Sequence, residues 1–400
     1  MLSGLKIVEY ATYIAAPGCG GIMADWGADV IKVEPPGGDP IRQFFASIGA
    51  DMAANPVFDM DNRGKRSVVL DTAHPDGKTA LQRLARDADV FITNVRPAGL
   101  ARSGLDYDSL AALNPRLVYA SVTGYGLQGP DVDRPGFDIT AFWARSGMAT
   151  LVAPKGVDPF MIRTGMGDHI TSMATVAGVL AALVERGRTG KGRLVEASLL
   201  RTANYAIASD MAIAHAFGRL ASTRPRHDAV QPLANFFKSA DGRWFVLNTR
   251  QGESDWAPLC RAIGREDLID DERFARARAR RQNTPVLVDA LDSAFARLPF
   301  EEIARRLDAA ALAWAPAQTA LEACRDPQLI AAGGVVDIPD RDGGVAKSPA
   351  SPVRFPGADD GPKGPAPRCG EHTREVLAQL GYGADEVDAL IAAGAAREGA

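Results

Sequence analysis

Short runs of β-branched and aromatic residues alternate with helix-like segments through the first third of the chain. This alternation constrains the fold more than any other feature. Residues 5–10 (LKIVEY), 29–33 (DVIKV), 67–71 (SVVLD), 89–94 (DVFITN) and 117–122 (LVYASV) read as strands. Helical patterns fall between them, over 17–26 and 74–86. Strands linked by helices at this spacing pair in parallel, with helices on both faces. The pattern predicts an α/β fold with a Rossmann-like parallel sheet in a large domain, residues 1–190. Residues 191–220 read as a helical linker and 221–330 as a smaller α+β domain. Residues 331–400 read as a second linker with a C-terminal segment returning to the large domain.

Within this frame, Met173, Val176, Val179, Leu180 and Leu183 repeat at helical spacing and predict a buried helix. Its near-apolar run, 175–184, falls short of the roughly 20 residues that cross a bilayer. Residues 194–217 read as helical, which places His215 in a core. The aromatic runs flanking Asp241–Gly242 predict a hairpin.

Lys and Arg number 45 against 49 Asp and Glu, for a net charge of −4, which argues against a general nucleic-acid binder. Cys19, Cys260, Cys324 and Cys369 are dispersed and read as reduced thiols. The opening MLSGLKIVEY lacks a signal-peptide pattern. The expectation is a cytoplasmic protein with no membrane partner. None of the five histidines forms an H-E-x-x-H pair, and no G-x-S-x-G elbow occurs, so neither metal nor serine hydrolysis is expected.

Several stretches compete for chemistry. APGCGG at 16–21 follows a strand, but Met23 stands where a dinucleotide fingerprint has its third glycine. Tight helix packing is the better reading, and a nicotinamide-dependent dehydrogenase is disfavoured. NRGKRSV at 62–68 is either a grip for phosphate or carboxylate or a solvated turn. Asn94, Arg96 and Arg102 follow the fourth strand, on the side where open parallel sheets bind ligands. RFARARARR at 273–281 reads as a solvated helix face. In TGMGDHITSM, Asp168 either caps the buried helix or serves as a nucleophile at its start.

GLKIVEYATYIAAPGCGGIMADWGADVIKVEPPGGDPIR, NRGKRSVVLD, TNVRPAGLARSGLDYDSL, NPRLVYASVTGYGLQGP, DRPGFDITAFWARSG, GDHITSM, RTGKGRLVEASLL and CGEHTREVLAQLGY occur in this order. Together they resemble the family III CoA-transferases, which include formyl-CoA:oxalate and carnitine CoA-transferases. The resemblance implies that Asp168 attacks an acyl-CoA thioester, and that CoA then passes to a carboxylic acid. It implies CoA contacts from Tyr13, Ile14, Leu70, Asn94, Val95, Arg102, Ser103, Arg134, Phe137 and Leu199. It also implies no metal, no tightly bound cofactor, coenzyme A thioester as substrate and a homodimer of interlinked rings.

The related α-methylacyl-CoA racemases use a His where this chain has Phe137, and a phenyl ring accepts no proton. A racemase or isomerase, and a non-catalytic acyl-CoA-binding protein, are the alternatives. The stretch 222–234 lacks the glycine run of some transferases, and Arg224, Arg226 and His227 are expected to cover the site instead. RPGFDITAFWARSGM is most similar to members acting on aryl or branched acids. Phe142 then suits an acyl pocket or the core, and Trp143 the core.

Overall fold

The computed structural model describes the chain except residues 51, 53, 251, 252, 340–343 and 400. The strands are β1 (Lys6–Tyr10), β2 (Asp29–Glu34), β3 (Arg66–Leu70), β4 (Val90–Thr93), β5 (Val118–Thr123), β6 (Leu194–Ser198), β7 (Ala234–Lys238), β8 (Trp244–Asn248), β9 (Trp314–Pro316), β10 (Val335–Pro339), β11 (Val345–Pro349) and β12 (Ala396–Arg397). They form two compact units. The larger comprises Met1–Thr150, Phe160–Leu220 and Ile330–Ala400. The smaller comprises Leu151–Pro159 and Ala221–Leu329.

The large unit carries a seven-stranded sheet in the order β12-β3-β2-β1-β4-β5-β6. All neighbours run parallel except β12, which pairs antiparallel with β3. Residues 194–198 are therefore a strand rather than the start of a helix. A five-residue strand running straight into the Leu199–Ala206 helix leaves little period of its own. The C-terminal segment returns to this unit through β12 and through the Thr373–Gln379 and Ala384–Ala392 helices.

The sheet is covered on both faces. One core cluster includes Ile7, Val90, Val118, Val176 and Val179. The other includes Val8, Phe91, Tyr119, Leu81 and Leu377. The first helix, Ala15–Asp25, holds the APGCGG glycines inside its turns, where they permit close packing. A Cβ on Gly18 would come within 2.5 Å of Ser172 Oγ, and one on Gly21 within 2.6 Å of the Asp61 carbonyl oxygen. The Met166–Thr189 helix lies against the first helix, with Ser172 Oγ donating to the Ala15 carbonyl at 2.7 Å. This helix has 24 residues and is long and apolar enough by composition to cross a bilayer, but Val176, Val179 and Ala182 on it pack in the core of the large unit.

The NRGKRSV cations are neither a phosphate grip nor a solvated turn. Arg63 pairs with Asp25 at 2.6 Å, and Lys65 with Glu9 at 2.7 Å, all four buried. Arg66 bridges Asp29 and Glu375. These partners lie far away in sequence, so local pattern could not reveal them. Glu9 also binds Lys32 at 3.1 Å, and Lys32 binds Asp39 at 2.8 Å. Glu34 takes Arg42 at 2.6 Å and accepts from Ser67 Oγ at 2.6 Å. Burial works to raise the Glu34 carboxyl, yet Arg42, Lys32 and Ser67 hold it at about 2.

His215 is exposed rather than in a core, because its helix, Ala208–Phe217, buries none of its side chains. Tyr205, Ile213 and Phe217 are exposed on the same run of helices.

In the small unit β7, β8 and β9 form an antiparallel sheet, with Gly242 at φ +84° turning the hairpin. Phe237, Phe245, Leu291 and Phe295 fill its core. Arg280 departs from the solvated face expected for 273–281. It is buried, donates to the Phe274 carbonyl at 2.7 Å and lies over the Trp256 ring at 5.0 Å. Arg226 is tied within this unit to Asp292 at 2.6 Å and to the Phe236 carbonyl. His227 lies 3.2 Å from Asp289.

Candidate active site

The order of the sheet reverses between β1 and β4, and the chain leaves those strands in opposite directions. A crevice outside their carboxyl ends follows from this topology. A cleft of about 250 Å³ opens there, lined by residues following β1, β4 and β5 together with Phe137, Asp138, Asp168 and Leu199. Tyr13 and Ile14 come from the β1 end, and Asn94 and Arg96 from the β4 end.

Backbone constraints shape the mouth. Tyr13 has φ +65°, a left-handed conformation costing about 1–3 kcal/mol for a residue with a Cβ. Its N–H donates to Asp39 Oδ1 at 3.0 Å, which helps fix it. The Tyr13 and Phe137 rings meet edge to face at 5.8 Å. Asn94 clamps the neighbouring loop: its Oδ1 accepts from the Thr12 N–H at 3.1 Å and its Nδ2 donates to the Thr12 carbonyl at 2.7 Å. Gly124 and Gly136 close the wall, since a Cβ on either would lie 2.8 Å from the other's Cα.

Asp168 lies in the first turn of the Met166–Thr189 helix but does not cap it. The capping position is Gly165, at φ +93°, whose N–H donates to Asp138 Oδ2 at 2.7 Å. Asp138, itself buried, thus fixes where the helix begins. Gly167 lets the first turn settle onto Phe142, because a Cβ there would come within 2.5 Å of the ring. Phe142 is fully buried beneath that turn and is not among the residues lining the cleft. Trp143 is also core, with its indole N–H donating to the Phe160 carbonyl at 2.7 Å.

The Asp168 carboxyl accepts no hydrogen bond from the described residues. Burial pushes it up to about 7, helped by the Asp138 and Asp61 carboxylates and opposed by His169. A helix N-terminus favours the ionised form, but loss of water outweighs that here. His169 points to a different partner, with Nε2 at 3.2 and 3.4 Å from the two oxygens of buried Asp61. Burial works to lower the imidazole, and the Asp61 hydrogen bond and charge carry it above its ordinary value.

The structure brings Tyr13, Ile14, Asn94, Arg134, Phe137, Asp168 and Leu199 together around one cleft. It places Leu70 in the core at 1% exposure and Val95 half-buried beside it. Arg102 is exposed in the last turn of the Pro97–Ser103 helix, and Ser103 Oγ donates to the Gly99 carbonyl at 3.0 Å. These four do not line the cleft. Sequence reasoning missed Asp61 and Asp138. Asp61 shares a short helix with Asp59 and Asp138 opens an apolar stretch, so nothing local singles them out, and only their burial marks them.

The sequence model of CoA-transferase family III matches residues 2–373. An (R)-2-hydroxy-4-methylpentanoate CoA-transferase of Clostridioides difficile is 34% identical, over 97% of each chain. A cinnamoyl-CoA:phenyllactate CoA-transferase of Clostridium sporogenes is 33% identical, over 98% of this chain and 96% of its own. A crystal structure of a CAIB/BAIF family protein from Brucella suis superposes with a TM-score of 0.84 at 30% identity, over 95% of this chain and 99% of that one. The cleft, the sheet behind it and these likenesses converge: the chain belongs to CoA-transferase family III and is an acyl-CoA:carboxylate CoA-transferase.

Proposed function

We propose that the chain moves CoA from an acyl-CoA to a carboxylic acid through covalent intermediates on Asp168. The observation that carries this reading is the Asp168 carboxyl, which lines the cleft, lacks a hydrogen bond from the described residues and sits near 7. Without such bonds to hold its lone pairs, it is a free nucleophile once ionised. An Asp168 oxygen attacks the thioester carbonyl, the C–S bond breaks, and CoA thiolate leaves a mixed anhydride. The thiolate attacks the Asp168 carbonyl and releases the donor acid, giving an aspartyl-CoA thioester. The acceptor carboxylate displaces CoA to form a second anhydride. CoA then attacks the acceptor carbonyl, which frees the Asp168 carboxylate and the new thioester.

Tyr13, Ile14, Asn94, Arg134, Phe137 and Leu199 are our proposed CoA contacts within the cleft; Val95, Arg102 and Ser103 are proposed contacts beyond it, while Leu70 belongs to the core. The names of the relatives support an aryl or branched acid as substrate. Phe137 supports transfer over racemisation, since it supplies no second base. We further propose a cytoplasmic homodimer of interlinked rings, with no metal or tightly bound cofactor. The exposed Tyr205, Ile213 and Phe217 support a second copy as their cover. Light scattering on the eluting protein tests the dimer, and a monomer at all concentrations refutes it.

The central test is a covalent trap. The protein is incubated with a panel of branched and aryl acyl-CoAs, treated with hydroxylamine, digested and weighed. A hydroxamate on Asp168 is the expected result. Measurable CoA binding with no adduct from any donor, together with solvent deuterium at the substrate α-carbon, establishes the racemase instead.

A further inference from the structure

Asp168 and His169 are consecutive residues with separate surroundings. Asp168 lines the main cleft. His169 lines a second cavity of about 420 Å³, with Asp61, Ser172 and Met173 among its other walls. Asp61 comes from the Pro56–Asn62 helix and is 4% exposed, and both its carboxylate oxygens lie within reach of the imidazole. A buried carboxylate held on an imidazole favours the imidazolium.

The other charges around the pair do not compete for His169. Asp25 and Arg63, on the same cavity, are paired with each other at 2.6 Å. Lys65, whose charge also acts on Asp61, is held by Glu9 at 2.7 Å. Asp138, the third acid acting on His169, accepts from the Gly165 and Ile139 N–H groups. His169 is thus the cation acting on Asp168, set against two acids.

We propose that the Asp61–His169 pair is a positioning device for the nucleophile: it fixes one positive charge in the first turn of the helix and biases the Asp168 carboxyl toward its ionised form. The pair touches no reacting atom in this role. Neither residue is among those lining the cleft, so the charge is held without blocking the approach of a thioester. Asp61 does two opposing things, repelling charge on Asp168 directly and holding the imidazolium that favours it. The inference rests on the reading of Asp168 as nucleophile, but its test does not require turnover.

The test is 13C NMR of the full-length protein labelled at aspartate Cγ, with the Asp168 signal assigned by its loss in Asp168→Asn. The signal is followed over pH in wild type, His169→Asn and His169→Lys, and the His169 imidazole is titrated in wild type. His169 is part-exposed, so both variants keep the core intact. The expected result is a midpoint raised by about one pH unit in His169→Asn and returned toward wild type in His169→Lys. The wild-type imidazole should titrate above the ordinary histidine value. An unmoved Asp168 midpoint in folded His169→Asn, or an imidazole titrating at or below its ordinary value, overturns the proposal. A shifted midpoint combined with no hydroxylamine adduct would leave the charge device standing and remove the covalent mechanism.

Discussion

Two settings of carboxylate coexist in the large unit, one fully buried and one half-buried, and their contrast separates architecture from chemistry. Around β1, β2 and the first helix, Glu9, Asp25 and Glu34 each meet a cation within 3.1 Å. Glu34 is held at about 2. Asp168, half-buried on the cleft wall, meets no donor among the described residues and is pushed up to about 7. Paired acids lock elements together and are poor nucleophiles, because their lone pairs are engaged. The unpaired acid strains the fold and is available to react.

Breaking the unpaired acid should change chemistry most. Asp168→Asn should lower CoA transfer by at least about 10³-fold while the protein stays folded, measured with the donor that labels wild type. Retention of wild-type turnover would place the nucleophile elsewhere. Breaking a paired acid should change stability instead. Lys65→Met leaves Glu9 with one cation rather than two and should cost about 3–5 kcal/mol in denaturant unfolding. A cost below about 1 kcal/mol would mean that Lys32 alone satisfies Glu9.

A smaller effect sharpens the comparison through packing. Gly167→Ala drives a methyl into Phe142 and should cost about 1–3 kcal/mol while displacing Asp168, so that kcat falls with little change in thermal midpoint beyond that cost.

The smallest effect is a difference in pH dependence. The folded Asp168 value, about 7, lies above its ordinary 3.8, so the fold binds this proton more tightly than the unfolded chain. That stabilisation is complete below about pH 4 and is lost as pH rises through 7. Asp168→Asn lacks it and should gain about 2 kcal/mol on wild type between pH 5 and pH 8. Glu34 has the opposite sign: its contribution is present above its ordinary 4.5 and is lost as pH falls toward 2.

The parallel strands and the connecting helices were legible because hydrophobic period is a local property. So was Asp168, whose Gly-Asp context stands out before an apolar helix. The cap reading failed because Gly165 starts the helix three residues earlier, held by Asp138 from a distant segment. Arg63 and Lys65 were misread because charge in a sequence says nothing of partners 38 and 56 residues away. Apolarity around His215 was legible but its direction was not: the same pattern serves a core or an outward face. Strand β6 was lost to its brevity.

The sheet's order carries one more consequence. β3 lies at the rim until β12, the last strand of the chain, pairs with its outer edge. During synthesis that rim is bare while the whole small unit is made, since residues 221–329 emerge before residue 396. Such an edge recruits stray strands. The β3 edge therefore stays open through the synthesis of the small unit, an interval in which a stray strand can pair with it. The protein's yield from a cell should depend on how quickly the segment carrying β12 folds back onto β3, more than on the stability of the finished enzyme.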